Sequence, residues 1–141
     1  MLLCALPAPV FAASPAMRQA SQTLLSRGLA THDTKRAQRF LEQSIVADPA
    51  NAAAFSALGN LYEREGQRAK ARKYYNLAFG ADPVDVMALS GAAALDLAEG
   101  KTADAQDKLR KLKIVCPACK QTHELENALN TGTPAATPSN P

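Results

Sequence analysis

Cys116-Pro117-Ala118-Cys119 is the chain's most chemically suggestive constellation, with His123 one helical turn beyond Cys119. Two thiols three residues apart admit three kinds of chemistry. A thiol–disulfide exchange centre places such a pair at the end of a strand that leads into a helix. A zinc site takes four ligands, of which Cys116, Cys119 and His123 supply three. A structural disulfide needs only that a turn bring the two Cα atoms within about 4.4–6.8 Å. Catalytic spacing is otherwise lacking: the sequence holds no nucleophile–base pattern, no phosphate-cradling glycine loop and no paired-carboxylate motif, and His32 and His123 stand apart. The expectation is a chain that is not an enzyme and carries no cofactor or metal.

The cluster Arg64, Arg68, Lys70, Arg72 and Lys73 raises a second chemistry, attraction to phosphate. Nucleic-acid surfaces interleave such cations with aromatics or present them on a recognition helix. Glu63 and Glu65 instead interrupt this run, so the expectation is a solvated outer helix face and no nucleic-acid partner. A net charge of +3 in 141 residues fits that modest reading.

The elements that position these residues follow from an internal period. Pro49, Pro83 and Pro117 lie 34 residues apart, as do Ala37, Ala71 and Ala105, and Leu41, Tyr75 and Leu109. Gly66 and Gly100 keep the same spacing, as do Phe55 and Leu89. Within one period, Phe55, Leu58 and Tyr62 recur at helical intervals. Gly66 then permits a left-handed residue that closes the helix. A second helix carries Ala71, Tyr75 and Ala78, and Pro83 ends it because proline disfavours α geometry at the residue before it. Gly59 and Ala71 mark a close approach of the two helices. One hairpin cannot bury its apolar face alone, so neighbours must stack. Abundant alanine, 5% aromatic residues and no tryptophan suit helix packing better than sheet.

Residues 52–85 closely resemble the tetratricopeptide repeat (TPR) family, with Phe55, Leu58, Gly59, Tyr62, Ala71, Tyr75, Ala78 and Pro83 on its eight signature columns. Residues 86–119 keep Leu89, Ala92, Ala93, Gly100, Ala105, Leu109, Leu112 and Pro117, with Asp96 in place of the family's tyrosine. Residues 18–51 keep Leu24, Ala37, Leu41, Ser44 and Pro49, with Gly28 at the tyrosine column. The resemblance implies an all-α, TPR-like stack of about three antiparallel helical hairpins and a C-terminal capping helix near Gln121–Leu129. It implies a non-enzymatic interaction module that takes a protein or peptide in a concave groove formed by the first helix of each hairpin. Carried over column by column, that groove comprises Gln22, Ser26, Ser56, Asn60, Glu63, Arg64, Met87, Ser90 and Leu97, with Leu29 and Ala94 on the same face. Asn60 matches an asparagine that some members use to fix a peptide backbone. Ser56, Ala57 and Ser90 stand where the family's carboxylate-gripping side chains would be, so an acidic C-terminus is not the expected ligand. In this alignment Pro117 is the turn proline and Cys116 replaces the usual aspartate, which puts the cysteine pair inside the repeat's own turn. Small exported members of the family carry such a pair here, which implies a Cys116–Cys119 disulfide. The alternative function is thiol–disulfide or metal handling by the same two residues.

The ends of the chain differ from the repeat. Residues 1–16, MLLCALPAPVFAASPA, are uncharged and apolar, and Val10-Phe11-Ala12 fits the small-residue rule of a signal-peptidase site. They read as a signal peptide or apolar leader; with the leader cleaved, the domain at 17–130 is expected to be periplasmic or secreted, and otherwise cytoplasmic. Leu3 before Cys4 argues against a lipid anchor, which requires a small residue there. No run of about 20 apolar residues provides a membrane span. Residues 131–141 hold three prolines and no large apolar group, and read as a disordered tail.

Overall fold

A computed structural model describes residues 12–132, and every regular element among them is an α-helix. The helices are α1 (Pro15–Ala30), α2 (Thr34–Ala47), α3 (Ala52–Arg64), α4 (Arg68–Ala81), α5 (Val86–Ala98), α6 (Thr102–Val115) and α7 (Lys120–Thr131). Short polar side chains start four of them. Ser14, Asp33, Asn51 and Asp85 accept hydrogen bonds from the backbone N–H of Met17, Arg36, Ala54 and Ala88, each filling one of the donors a helix N-terminus leaves open.

Glycine closes two hairpins as expected. Gly66 and Gly100 both take φ of 73°. After α3, the Gln67 N–H donates to Tyr62 at 2.8 Å and the Gly66 N–H to Glu63 at 2.9 Å. After α5, Lys101 and Gly100 donate to Asp96 and Leu97 in the same way. This is the two-bond Schellman closure, which satisfies the last carbonyls while turning the chain back. Turns between hairpins also repeat. Asp48 and Asp82 each accept from the N–H two residues on, Ala50 and Val84, at 3.1 and 3.0 Å.

The first helices of successive hairpins pack on one another: α1 on α3, α3 on α5, α5 on α7. Among the described residues the backbones of the second helices α2, α4 and α6 lie farther from one another than those of the first helices, so the stack closes along the first helices and opens along the second. Two apolar clusters fill it. One joins Leu25, Leu41, Leu58, Leu61, Tyr62 and Tyr75 across the first two hairpins; the other joins Leu89, Ala93, Leu112 and Leu125 across the third and α7. Phe79 packs against both.

Tyr75 sets the spacing. Its ring is fully buried between two glycines: a Cβ at Gly59 would lie 2.5 Å from Cε1, and one at Gly91 would lie 2.3 Å from Cζ and the hydroxyl oxygen. The close approach expected at Gly59 is therefore made by the Tyr75 ring, and Gly91, on the next hairpin, completes the slot. In the first hairpin the sizes are exchanged. Leu25 stands one period before Gly59, and Gly28 one period before Tyr62; Leu41 fills the space at Gly28, 2.8 Å from a Cβ built there.

The helices extend slightly past the expected domain limits, since α1 begins at Pro15 and α7 runs from Lys120 to Thr131. Most of the leader (residues 1–11) and most of the tail (133–141) lie outside the described residues.

Gly91→Ala forces a methyl group into the Tyr75 ring. Overpacking of this kind costs about 1–3 kcal/mol or more, against roughly 1 kcal/mol of helix propensity regained. Gly80→Ala, in α4 with nothing within 4 Å of the new Cβ, gains the propensity alone. Chemical denaturation should place the first variant below the parent in stability and the second above it.

Candidate functional site

The inner face is built by α1, α3 and α5, and the residues expected to line a groove fall on these three helices. They differ in accessibility. Gln22, Ser26 and Arg64 are exposed, whereas Glu63, Met87 and Leu97 are half-buried. Ser56, Asn60 and Ser90 are buried. Ser56 and Ser90 turn their hydroxyls back onto the carbonyls of Ala53 and Met87, at 3.2 and 3.1 Å, and so present little to a ligand. Of the two neighbours on that face, Leu29 is exposed and Ala94 buried. The Gln121 amide of α7 lies 3.4 Å from the Met87 sulfur, which continues the face onto the last helix.

Asn60 and Glu63 converge on one proton. The Tyr75 hydroxyl, reaching through from α4, lies 2.6 Å from Asn60 Oδ1 and 2.6 Å from Glu63 Oε2. Burial pushes the Glu63 carboxyl above its usual range, and the Tyr75 bond and the charge of Arg68 offset only part of this. Tyr75 is raised far above the usual tyrosine range by burial and then by the Glu63 charge. Asp85, at the start of α5, is also raised by burial, against bonds from the Ala88 N–H and Ser56.

The basic cluster divides. Arg64, Arg68, Lys70 and Lys73 are exposed, and the Lys70 ammonium lies 5.0 Å from the centre of the Tyr62 ring. Arg72 departs from the solvated face expected for it. Its guanidinium bridges to α5, 2.9 Å from Asp96 and 3.1 Å from Glu99. Burial works against the charge of Arg72, and the bonds to Glu99 and Asp96 outweigh it and raise its pKa. Lys108 of α6 meets the other oxygen of Asp96 at 2.5 Å, so a buried carboxylate is held between two hairpins at the column where the middle repeat has Tyr62. The sequence marks Asp96 as a departure; its partners, 24 and 12 residues away, had no local signal. Above this joint, α4 and α6 diverge around a cavity of about 400 Å³ floored by Leu89 and Ala92 and rimmed by Arg72, Asp104, Asp107 and Lys111.

A different polar joint links the first two hairpins. Ser21 and Ser44 each donate to the other's backbone carbonyl at 2.8 Å, and Asn51 Nδ2 donates to the Ser21 hydroxyl at 2.8 Å. Spacing alone did not single out Ser21 or Asn51.

Cys116 and Cys119 occupy the turn between α6 and α7 at disulfide distance, with Cα atoms 5.4 Å apart. The turn repeats the backbone of the Asp-Pro turns: Cys116 N–H donates to Leu112, and Cys119 N–H to the Cys116 carbonyl. That carbonyl also accepts from the Thr122 hydroxyl at 2.7 Å, which ties the turn to the first turn of α7. His123 is exposed, and no group of three or more His, Cys, Asp or Glu side chains is placed to hold a metal among the described residues. Nor is any helix among them long and apolar enough to cross a membrane.

Stacked helical hairpins with first helices inward, glycine-closed turns and a final covering helix define a TPR-like fold. Among solved structures, the chain is similar to the TPR domain of OM64 from Arabidopsis, with a TM-score of 0.70 over 82% of this chain and 98% of that one, at 18% sequence identity. No family model matches the sequence, and no curated protein does. The TPR-like, all-α architecture read from the 34-residue period is thus the architecture of the chain.

Asp96→Ala leaves Arg72 and Lys108 facing each other without their shared anion. Both reach solvent in part, so the expected loss is about 1–3 kcal/mol, below the ~3–5 kcal/mol of a fully buried pair. Glu99→Gln, at the exposed end of the same network, should cost less than Asp96→Ala, because solvent screens that pair. Urea unfolding of the two variants measures the difference.

Proposed function

We propose that the chain is a non-enzymatic interaction module that holds a protein or peptide segment on its inner face, in the periplasm or outside the cell. The observation that carries this is the side-by-side packing of α1, α3 and α5. It makes a continuous face on which exposed Gln22, Ser26 and Arg64 adjoin half-buried Glu63, Met87 and Leu97. That face mixes polar Gln22, Ser26, Glu63 and Arg64 with apolar Leu29, Met87 and Leu97, suited to an extended or helical segment with both kinds of side chain. The TPR-like fold supports a protein partner as a class.

Export rests on the apolar residues ahead of α1. Cleavage after Ala12 would leave Ser14, the residue that caps α1 by accepting from the Met17 N–H at 3.2 Å. The mature chain would then keep Cys116 and Cys119 as a pair in an oxidising compartment, where a disulfide persists. We assign that bond a structural role, fixing the turn that brings Leu125 of α7 onto Leu89 and Leu112. Thiol–disulfide exchange or metal handling finds less support, because the pair sits in a helical-repeat turn with no strand ahead of it.

A photoreactive side chain placed at Ser26 or Arg64 should cross-link a protein partner in native extract, and one at outward-facing Lys73 should not. Adducts confined to Lys73 would remove the inner face from the account. Mass spectrometry of the native protein should find it to begin after Ala12, with Cys116 and Cys119 refractory to alkylation until reduced. A full-length chain with both thiols free would refute export and the disulfide together.

A further inference from the structure

The Tyr75 hydroxyl carries one proton, and it lies 2.6 Å from two oxygens that both ask for it, Asn60 Oδ1 and Glu63 Oε2. Contacts this short to a buried hydroxyl are hydrogen bonds in both directions, so one of the three groups must change its role. Two arrangements that differ by one proton on Glu63 satisfy all of them with that proton inside the network. In the first, Glu63 is protonated and donates to the Tyr75 oxygen; Tyr75 donates to Asn60 Oδ1; and the Asn60 amide nitrogen is left over. In the second, Glu63 is ionised and accepts from Tyr75; the Asn60 amide is turned over so that Nδ2 donates to the Tyr75 oxygen; and Oδ1 is left over. Asn60 stays in place in both, but what it has to offer is opposite: a donor in one, an acceptor in the other.

We propose that Glu63, Tyr75 and Asn60 form a proton-linked relay that sets whether the inner face offers a partner a hydrogen-bond donor or an acceptor at Asn60. This rests on the inner face being the partner surface. Asn60 sits there on α3, 5% exposed, and its amide nitrogen bonds to no described residue. With Oδ1 on Tyr75, that nitrogen is the spare group, so the occupant it fits is an acceptor such as a main-chain carbonyl. Uptake of one proton from solvent by Glu63 selects this arrangement, and its release selects a partner N–H instead. Tyr75 and Glu63 are positioning residues that act through Asn60.

The surroundings allow the two forms to exchange. Glu63 is half-buried, and burial favours its neutral form. The opposing charge on it comes from Arg68 at the start of α4, while Arg64 on its own helix bears on Tyr75. The flanking first helices carry Leu29 and Leu97 at the positions equivalent to Glu63, and Glu42 of α2 bears on Tyr62 instead. Buried Asp96, by contrast, is committed to two cations.

The test needs no partner, so its failure is separable from failure of the cross-linking experiment. In the labelled full chain, NMR titration should show the Glu63 side-chain carboxyl changing state above the ordinary value of 4.5, with the Asn60 side-chain amide shifting at the same midpoint. Glu63→Gln should abolish the Asn60 response. Tyr75→Phe should let Glu63 titrate while Asn60 no longer follows, which separates a relay from a through-space field. An Asn60 amide that stays still through the Glu63 transition in the parent would overturn the proposal. So would one that still follows Glu63 in Tyr75→Phe. Should that variant not fold, the parent titration and Glu63→Gln decide the matter alone.

Discussion

The Tyr75 side chain joins three helices at once. Its ring lies in a slot made by Gly59 on α3 and Gly91 on α5, and it enters that slot from α4. Because both walls are glycine, the two first helices approach until the ring fills the gap. The same side chain ends in a hydroxyl that emerges between Asn60 and Glu63. Core packing and inner-face polarity in the middle hairpin are therefore one interaction. A change that moves the ring moves the hydrogen bonds as well.

The two joints between hairpins use different forces. Hairpin one meets hairpin two through Ser21, Ser44 and Asn51, neutral groups satisfied by one another and by backbone carbonyls. Each such bond contributes roughly 0.5–1.5 kcal/mol net, and its larger effect is to penalise any packing that leaves a partner unpaired. Hairpin two meets hairpin three through Asp96, held by Arg72 and Lys108. The ionic joint has long side chains at its edge, and these span the place where α4 and α6 part around the cavity of about 400 Å³. A short neutral joint would not reach across that opening. The stack's divergence along its second helices and the length of the residues that bridge it are thus matched.

How much of this was legible in the sequence depends on the range of each interaction. The period of 34 fixes hairpins because the signals are local: Gly66 and Gly100 close helices whatever lies beyond, and Pro49, Pro83 and Pro117 stop them. Asp96 was visible only as a missing tyrosine, since nothing near it in sequence announces Arg72 or Lys108. Arg72 read as one charge in a solvated cluster because helix periodicity tells which way a residue points, and not what the next hairpin holds opposite it. Gly91 gave no signal among Ala92, Ala93 and Ala94; in an alanine-rich helix, one further small residue does not show that a ring lies against it. On the inner face, the helix and side were readable for Ser56 and Ser90, but their burial was not, since it follows from how closely the first helices pack.

On the proposed reading, that burial limits what the inner face would recognise. Ser56 and Ser90 spend their hydroxyls on their own helices, and Ala94 adds no polar group. A partner lying along α3 and α5 would meet mostly backbone-hugging small residues, with Asn60 and Glu63 as the polar feature at the middle of the array. Most of the basic residues of this region lie elsewhere: Arg72 is committed to Asp96, and Lys70 lies over the Tyr62 ring of the Tyr62–Tyr74 stack. On the proposed inner-face reading, a partner would be held mainly by fit and a few directed hydrogen bonds, with Arg64 the one cation that α3 contributes. Salt would then weaken binding far less than a change in the shape of the slot that Tyr75 fills.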